Sequence, residues 1–112
     1  MGLKDEHCTE IAEGTPALDE GQIAALLPQL TGWQVAPAGA GQHLTLSKRF
    51  SFTDFLGAMA FVDRLAALAE EEQHHPDFSV HYSEVDVWLW THTVGGLSEN
   101  DFILAAKLDS LF

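Results

Sequence analysis

Two adjacent histidines, His74 and His75, precede Pro76 at the end of a predicted helix. The last turn of a helix presents unpaired carbonyl oxygens, which stabilise the protonated form of an imidazole placed there. Glu70 and Glu71 each come four residues before one of the histidines, so each carboxylate could orient one imidazole. The arrangement is typical of a site that holds and transfers protons, although a solvated, Glu-rich helix end has the same composition.

A third histidine, His92, lies at the end of a predicted strand over residues 85–93. Period-two alternation places it on the non-core side of this strand with Trp88 and Trp90. Aromatic surface and an imidazole therefore coincide there, as in a substrate platform. Exposed tryptophans on a sheet face also mark subunit contacts, and the two interpretations are compatible if the site lies near an interface.

The histidines do not predict a metal centre. Consecutive helical residues point about 100° apart, so His74 and His75 cannot easily bind one ion. The other histidines are expected at the solvated surface, namely His7 in a leader, His43 beside the first hairpin and His81 on the outer side of a strand. We therefore expect no metal.

Charge and composition exclude several classes of partner. The chain has 17 acidic and 5 basic residues and a formal net charge of -12, which would repel a phosphate backbone, so direct nucleic-acid binding is not expected. Hydrophobic residues form 46% of the chain, as in a folded domain. The chain offers no signal peptide and no run of about 20 apolar residues, and its single cysteine, Cys8, fits a reducing compartment. We expect a cytoplasmic protein without membrane association.

Hydrophobic periodicity predicts an α+β domain with the element order α-β-β-α-β-β-α. Residues 1–17 are predicted to be a flexible leader, and residues 18–112 a single domain. The strands pair as hairpins into a four-stranded antiparallel sheet, with three helices packed on one face. The predicted strands cover residues 33–35, 44–50, 78–82 and 85–93, and the predicted helices run from Asp19 to Leu30, from Ser51 or Thr53 to His74, and from Ser98 past Leu108.

Several local signals refine these elements. Ser51 with Asp54, and Ser98 with Asp101, have the spacing of helix capping boxes. Lys48 interrupts the apolar side of the second strand. The central helix is expected to bury an apolar stripe formed by Phe55, Met59, Val62 and Ala66. The second hairpin is expected to turn at Ser83 and Glu84.

These residues resemble the pattern of the pterin-4a-carbinolamine dehydratases, a family whose animal members also act as dimerization cofactors of a homeodomain transcription factor. The pattern is filled in order by Glu70, His74, His75, Pro76, Tyr82, His92 and Asp101. Several fixed spacings over about thirty residues are more specific than one short motif. The chain departs from common members at Gln73, where an acidic residue is usual, and at Trp88 and Trp90, where animal members have smaller polar residues.

The resemblance implies an enzyme that removes water from a 4a-hydroxytetrahydropterin, without metal or organic cofactor, in the recycling of the cofactor of aromatic amino acid hydroxylases. It implies His74, His75 and His92 as catalytic residues, with His74 and His92 as acid and base in either order. By the same resemblance the other site residues are Gln73, Trp90, Thr91 and Thr93 against the pterin, and Glu70 and Asp101 behind the histidines. Family members form homodimers or homotetramers. A protein-binding module on the same scaffold, or a pterin enzyme linked to molybdenum cofactor metabolism, are the alternatives.

Overall fold

An antiparallel sheet of four strands runs through the computed structural model, which describes residues 2–111. The strands are β1 (Gln34–Pro37), β2 (Leu44–Ser51), β3 (Asp77–His81) and β4 (Glu84–Leu89). Their spatial order is β1-β2-β4-β3, so the two hairpins meet along the pairing of β2 with β4. Residues 1 and 112, which bound the predicted leader and the predicted domain, lie outside the described residues.

One face of the sheet forms the hydrophobic core. Val85, Val87 and Leu89 alternate along β4 and are at most 1% exposed, as their period predicts. Phe50 and Leu46 of β2 pair with the first and last of them and share this face. The opposite face carries polar and aromatic side chains, so the predicted orientation of β4 is confirmed.

The described residues form three α-helices, α1 (Glu20–Leu26), α2 (Phe55–Glu72) and α3 (Glu99–Asp109). The predicted α+β class and element order are therefore confirmed. Asp19 caps α1 by accepting a hydrogen bond from the backbone N–H of Gln22 at 2.8 Å, as predicted. Within residues 2–111, no helix is both long enough and apolar enough to cross a membrane.

The orientation and start of α2 differ from the prediction. Its N-cap is Asp54, whose carboxylate accepts from the N–H of Gly57 at 2.8 Å, so Ser51 is not the cap and remains in β2. The buried stripe consists of Ala58, Phe61, Leu65, Ala69 and Glu72. The first half of α2 is apolar on two sides, so the helical period alone permits two stripes, and the sheet selects the one that fits its core.

Three further bounds are corrected. Helix α2 ends at Glu72, because Gln73 adopts a left-handed conformation (φ 52°), so the histidine pair follows the helix. The second hairpin turns at Tyr82 and Ser83, one residue earlier than predicted. Strand β4 ends at Leu89 rather than at residue 93, and His92 belongs to a short 3₁₀ turn.

Lys48 points to the core side of β2 and is accommodated there by an ion pair. Its Nζ lies 2.7 Å from Oδ1 of Asp109 in α3 and donates to the carbonyl of Thr31 at 2.6 Å. Asp109 also accepts from Trp33 Nε1 at 3.1 Å. Lys48 Nζ lies 4.8 Å from the ring centroid of Phe50, a cation–π distance. The break in the apolar pattern thus marks a contact between sheet and helix.

The N-terminal segment packs along α3 and the end of α2. Leu3 is 5% exposed and belongs to the core cluster. The buried carboxylate of Glu72 accepts from the backbone N–H of Cys8 at 2.7 Å and lies 2.9 Å from Nδ1 of His7. Asn100 exchanges two hydrogen bonds with the backbone of Thr9, at 3.1 and 2.8 Å. The flexibility of residues 1–17 stays a prediction, and these contacts are what such motion would break.

Cys8 is a neutral thiol within this contact. Burial, and then the charges of Glu72 and Asp101, raise the pKa of Cys8 to about 12. Its Sγ lies 3.5 Å from the carbonyl of Asn100. A thiol with so high a pKa is not a nucleophile at neutral pH, so Cys8 acts here as a small packing residue.

Glu72 gives the first prediction. Burial raises the pKa of Glu72, but hydrogen bonds from Cys8 and His7 and the charge of Lys107 outweigh it, and the pKa lies below its ordinary value. A lowered folded pKa stabilises the protein above the unfolded value of about 4.3, and this stability is lost as the pH falls through the folded pKa. Glu72→Gln should therefore reduce the free energy of unfolding by about 1–2 kcal/mol near neutral pH, and by less at an acid pH where Glu72 becomes protonated in the folded state.

Urea denaturation at both pH values measures this difference. Glu71→Gln is the matched control, because Glu71 is the exposed neighbour on the same helix turn. An unchanged difference at acid pH would contradict the assignment of the effect to the Glu72 charge.

Candidate functional site

A buried carboxylate, Asp101, connects three parts of the chain. Its side chain is 0% exposed and lies in the first turn of α3. Oδ2 accepts from the hydroxyl of Thr91, after β4, at 2.9 Å, and from the backbone N–H of Ser98 at 2.9 Å. The predicted pairing of Ser98 with Asp101 at this helix start is therefore present. Thr91 and Ser98 also share a hydroxyl–hydroxyl contact of 2.7 Å.

The remaining oxygen of Asp101 orients His74. Oδ1 lies 2.6 Å from Nε2 of His74, whose side chain is 12% exposed. A carboxylate on one ring nitrogen fixes the tautomer with the proton on that nitrogen, so Nδ1 of His74 carries the lone pair. The predicted partner, Glu70, does not contact His74, because the chain has left the helix before the histidine.

His75, in the loop after α2, pairs with the exposed Glu70 of that helix. Nε2 of His75 lies 2.5 Å from Oε2 of Glu70, and both side chains are more than half exposed. Between them in sequence, Gln73 donates from Nε2 to the carbonyl of Glu70 at 2.6 Å, closing the helix end. Helical spacing suggested Glu70 for His74 and Glu71 for His75, whereas the structure pairs Glu70 with His75 and Asp101 with His74. Glu70 and Asp101 are the two carboxylates that the resemblance placed behind the histidines.

His92 is held by aromatic stacking. It begins the 3₁₀ turn His92–Val94, and its ring lies 3.7 Å from that of Trp90, with the planes 29° apart. The other stacking partner of Trp90 is His43, 3.5 Å away at 18°. His43 was predicted to be an incidental surface residue, and the prediction did not include this contact with Trp90.

The sheet register brings these residues to the same end of the molecule. Asp77 of β3 pairs with Trp88 of β4 in an antiparallel ladder. Continuing this register by three residues sets His74 level with Thr91, in agreement with their common partner Asp101. His74 and His92 therefore belong to two neighbouring chain segments.

A hollow of about 500 Å³ on the open face of the sheet adjoins the stack. It is lined by His43, Trp88, Trp90 and Asp77, among others. The indole of Trp88 is 37% exposed there. The sequence placed both tryptophans on the non-core face, and both line this hollow.

Two predicted site residues play different parts. Thr91 is buried and bonded to Asp101, so its hydroxyl is occupied within the protein. Thr93 lies exposed in the 3₁₀ turn after His92. Ser98 and His43 were missed as site residues, and only the capping-box spacing of Ser98 marked either of them in the sequence.

Among residues 2–111, no group of three His, Cys, Asp or Glu side chains converges in a way that could hold a metal ion. The site histidines instead have separate partners. The expectation of a metal-free reaction remains a prediction.

The family assignment follows from comparison with known proteins. The model of the family described as pterin 4 alpha carbinolamine dehydratase matches residues 16–111. Proteins from Xanthomonas campestris pv. campestris and Xanthomonas axonopodis pv. citri, each named "Putative pterin-4-alpha-carbinolamine dehydratase", are 46% identical over 110 residues, covering 98% of this chain and 90% of theirs. The chain belongs to the pterin carbinolamine dehydratase family.

Solved structures share the fold. The transcriptional coactivator/pterin dehydratase from Brucella melitensis is 34% identical with a TM-score of 0.77, covering 85% of this chain and 97% of that one. A pterin dehydratase-like protein described as a RuBisCO assembly factor in the alpha-carboxysome is 32% identical with a TM-score of 0.60, covering 71% and 88%.

The Asp101 network gives the second prediction. Asp101→Ala should lower the free energy of unfolding by about 3 kcal/mol, because it leaves the Thr91 hydroxyl and the Ser98 N–H without their buried acceptor. Asp101→Asn should cost less, since the amide oxygen can still accept both bonds. Chemical denaturation at neutral pH compares the three proteins, and equal stability of the native chain and Asp101→Ala would contradict the structural role of the network.

Proposed function

We propose that this protein dehydrates a 4a-hydroxytetrahydropterin to a quinonoid dihydropterin by histidine acid–base catalysis. The observation that carries the proposal is the hydrogen bond that Nε2–H of His74 donates to the buried Asp101 carboxylate, which leaves Nδ1 of His74 as an oriented proton acceptor. Membership of the family supports the reaction class.

The reaction needs two proton transfers and nothing else. A base removes the proton from N5 of the pterin, the electron pair forms the C4a–N5 double bond, and the C4a–O bond breaks. An acid protonates the departing hydroxyl, which leaves as water. Imidazole suits both tasks, since its ordinary pKa lies near neutrality.

The partners of the three histidines suggest how the tasks divide. Because Asp101 occupies Nε2 of His74, Nδ1 of His74 is free to take the N5 proton. His92 has no carboxylate partner in the described chain, and as an imidazolium it would donate to the hydroxyl. His75, oriented by Glu70, positions or polarises the ring.

Substrate contacts complete the proposal. Gln73 and the backbone from Trp90 to Thr93 lie next to the histidines in the chain, and we assign them to the edges of the pterin. Gln73 supplies an amide where an acid is common in the family, so it would exchange a charged contact with the pterin for a neutral one. We also propose that the reaction needs no metal or organic cofactor.

The cellular setting is proposed more broadly. Recycling of the hydroxylase cofactor in the cytoplasm fits the family and the absence of a membrane-crossing helix from residues 2–111. A homodimer or homotetramer is proposed because both edge strands, β1 and β3, have one unpaired side. The net charge of -12 supports the absence of direct nucleic-acid binding.

A protein-binding role is the second candidate. The structural relatives include one described as a RuBisCO assembly factor and one described as a transcriptional coactivator as well as a pterin dehydratase. A pure binding role places no demand on an oriented histidine set, so turnover separates the candidates. A third candidate is a pterin enzyme of molybdenum cofactor metabolism, which would act on a different pterin when that pterin replaces the substrate of the assay.

The third prediction concerns turnover. Purified protein in EDTA should accelerate the decay of 4a-hydroxytetrahydropterin, followed by stopped-flow ultraviolet absorbance. His74→Ala and His92→Ala should each reduce kcat by about 10²–10⁴-fold, since each removes one proton-transfer group. His75→Ala should raise KM more than it lowers kcat, because it removes a positioning contact.

His81→Ala is the matched control, because the exposed His81 lies on the open sheet face, with its Nε2 3.0 Å from Oγ of Ser79 and 3.8 Å from Oδ2 of Asp86. Its rate should equal that of the native chain. Near-native rates in both His74→Ala and His92→Ala would refute the assignment, and no acceleration by the native chain would favour the binding role or a different pterin substrate.

A further inference from the structure

The three proposed catalytic histidines are held by different kinds of contact. His74 is oriented by Asp101 and His75 by Glu70, each through a short hydrogen bond to a carboxylate. Within residues 2–111, His92 has no such hydrogen bond from its ring, and its close contact is the stack on Trp90. Its orientation therefore depends on an aromatic face rather than on a charge.

The indole of Trp90 lies between two imidazoles. Both His43 and His92 have ring centroids within 3.7 Å of the Trp90 centroid and planes within 29° of its plane. Nearly parallel rings at these distances sit almost directly over the indole, so both cannot occupy one side of it. One imidazole covers each face.

The His43 imidazole comes from the first hairpin, formed by β1 and β2. His43 directly precedes β2, and its carbonyl accepts from the backbone N–H of Ala38 at 2.9 Å, which closes the loop between β1 and β2. The loop thus presents the His43 ring from a fixed backbone position. His43, which precedes β2, therefore contacts Trp90, which follows β4, across the pairing of these two strands.

We propose that Trp90 is a positioning residue for His92, with His43 as the clamp that keeps the indole in place. The expected effect on kcat rests on the proposed dehydration, whereas the expected orientation of His92 rests on the stack alone. Because both faces of Trp90 are covered, the indole is not a stacking platform for the pterin. The exposed Trp88, beside the hollow, has the free aromatic surface for that task.

The stack has a spectroscopic signature that does not depend on turnover. Protons held over an indole face are shifted upfield in the NMR spectrum by the ring current. The His92 ring signal, assigned by its loss in His92→Gln, should lie upfield in the native chain and move downfield in Trp90→Leu, whereas the His74 signal should stay. His43→Leu should move the His92 signal part of the way.

Kinetics give the second readout on the same variants. Trp90→Leu should reduce kcat about tenfold to a hundredfold with a smaller change in KM, as misplacement of a catalytic group by about 1 Å would. Trp90→Phe and His43→Phe should restore most of the rate, because an aromatic face remains. Circular dichroism verifies that each variant is folded.

The outcomes separate the two proposals. A native His92 signal at the ordinary position would overturn the stack, and native kcat in Trp90→Leu would overturn the positioning role. A native chain with the upfield signal but without turnover would overturn the dehydratase proposal while the stack stands.

Discussion

The buried carboxylate of Asp101 is the interaction on which the site depends. One carboxylate oxygen accepts hydrogen bonds from the Ser98 N–H at the start of α3 and from the hydroxyl of Thr91. The other lies 2.6 Å from Nε2 of His74. An uncompensated charge at 0% exposure would be costly, so each of these donors is needed to keep the carboxylate buried. The fold therefore orients the histidine with the same contacts that stabilise the helix start and the chain after β4.

The rest of the site is arranged around this point by the sheet. The register of β3 on β4 brings the loop that holds His74 and His75 beside the segment that holds His92. The pairing of β2 with β4 then brings in His43 from the other hairpin. The candidate site thus draws on both hairpins and on the start of α3, and the pair of Glu70 and His75 is exposed beside His74 in the chain.

Local patterns in the sequence predicted the element order and several local contacts. Alternation identified the core face of β4, and capping spacing identified the contact between Ser98 and Asp101. The partner of His74 could not be found in this way, because it lies 27 residues away and is brought near by packing of α3. The stripe of α2 was misplaced because that helix is apolar on two sides. His43 was missed because the register between hairpins is a tertiary property that no local pattern encodes.

The double duty of Asp101 bears on how relatives of this chain can be read. A lineage that stopped using the histidines for chemistry would still need the carboxylate to cap α3 and hold Thr91, so selection for folding alone would retain it. The exposed Glu70 carries no comparable burden, and its loss would cost the fold little. Folding alone therefore explains the retention of Asp101 in a homologue, whereas it does not explain the joint retention of the exposed Glu70 and His75.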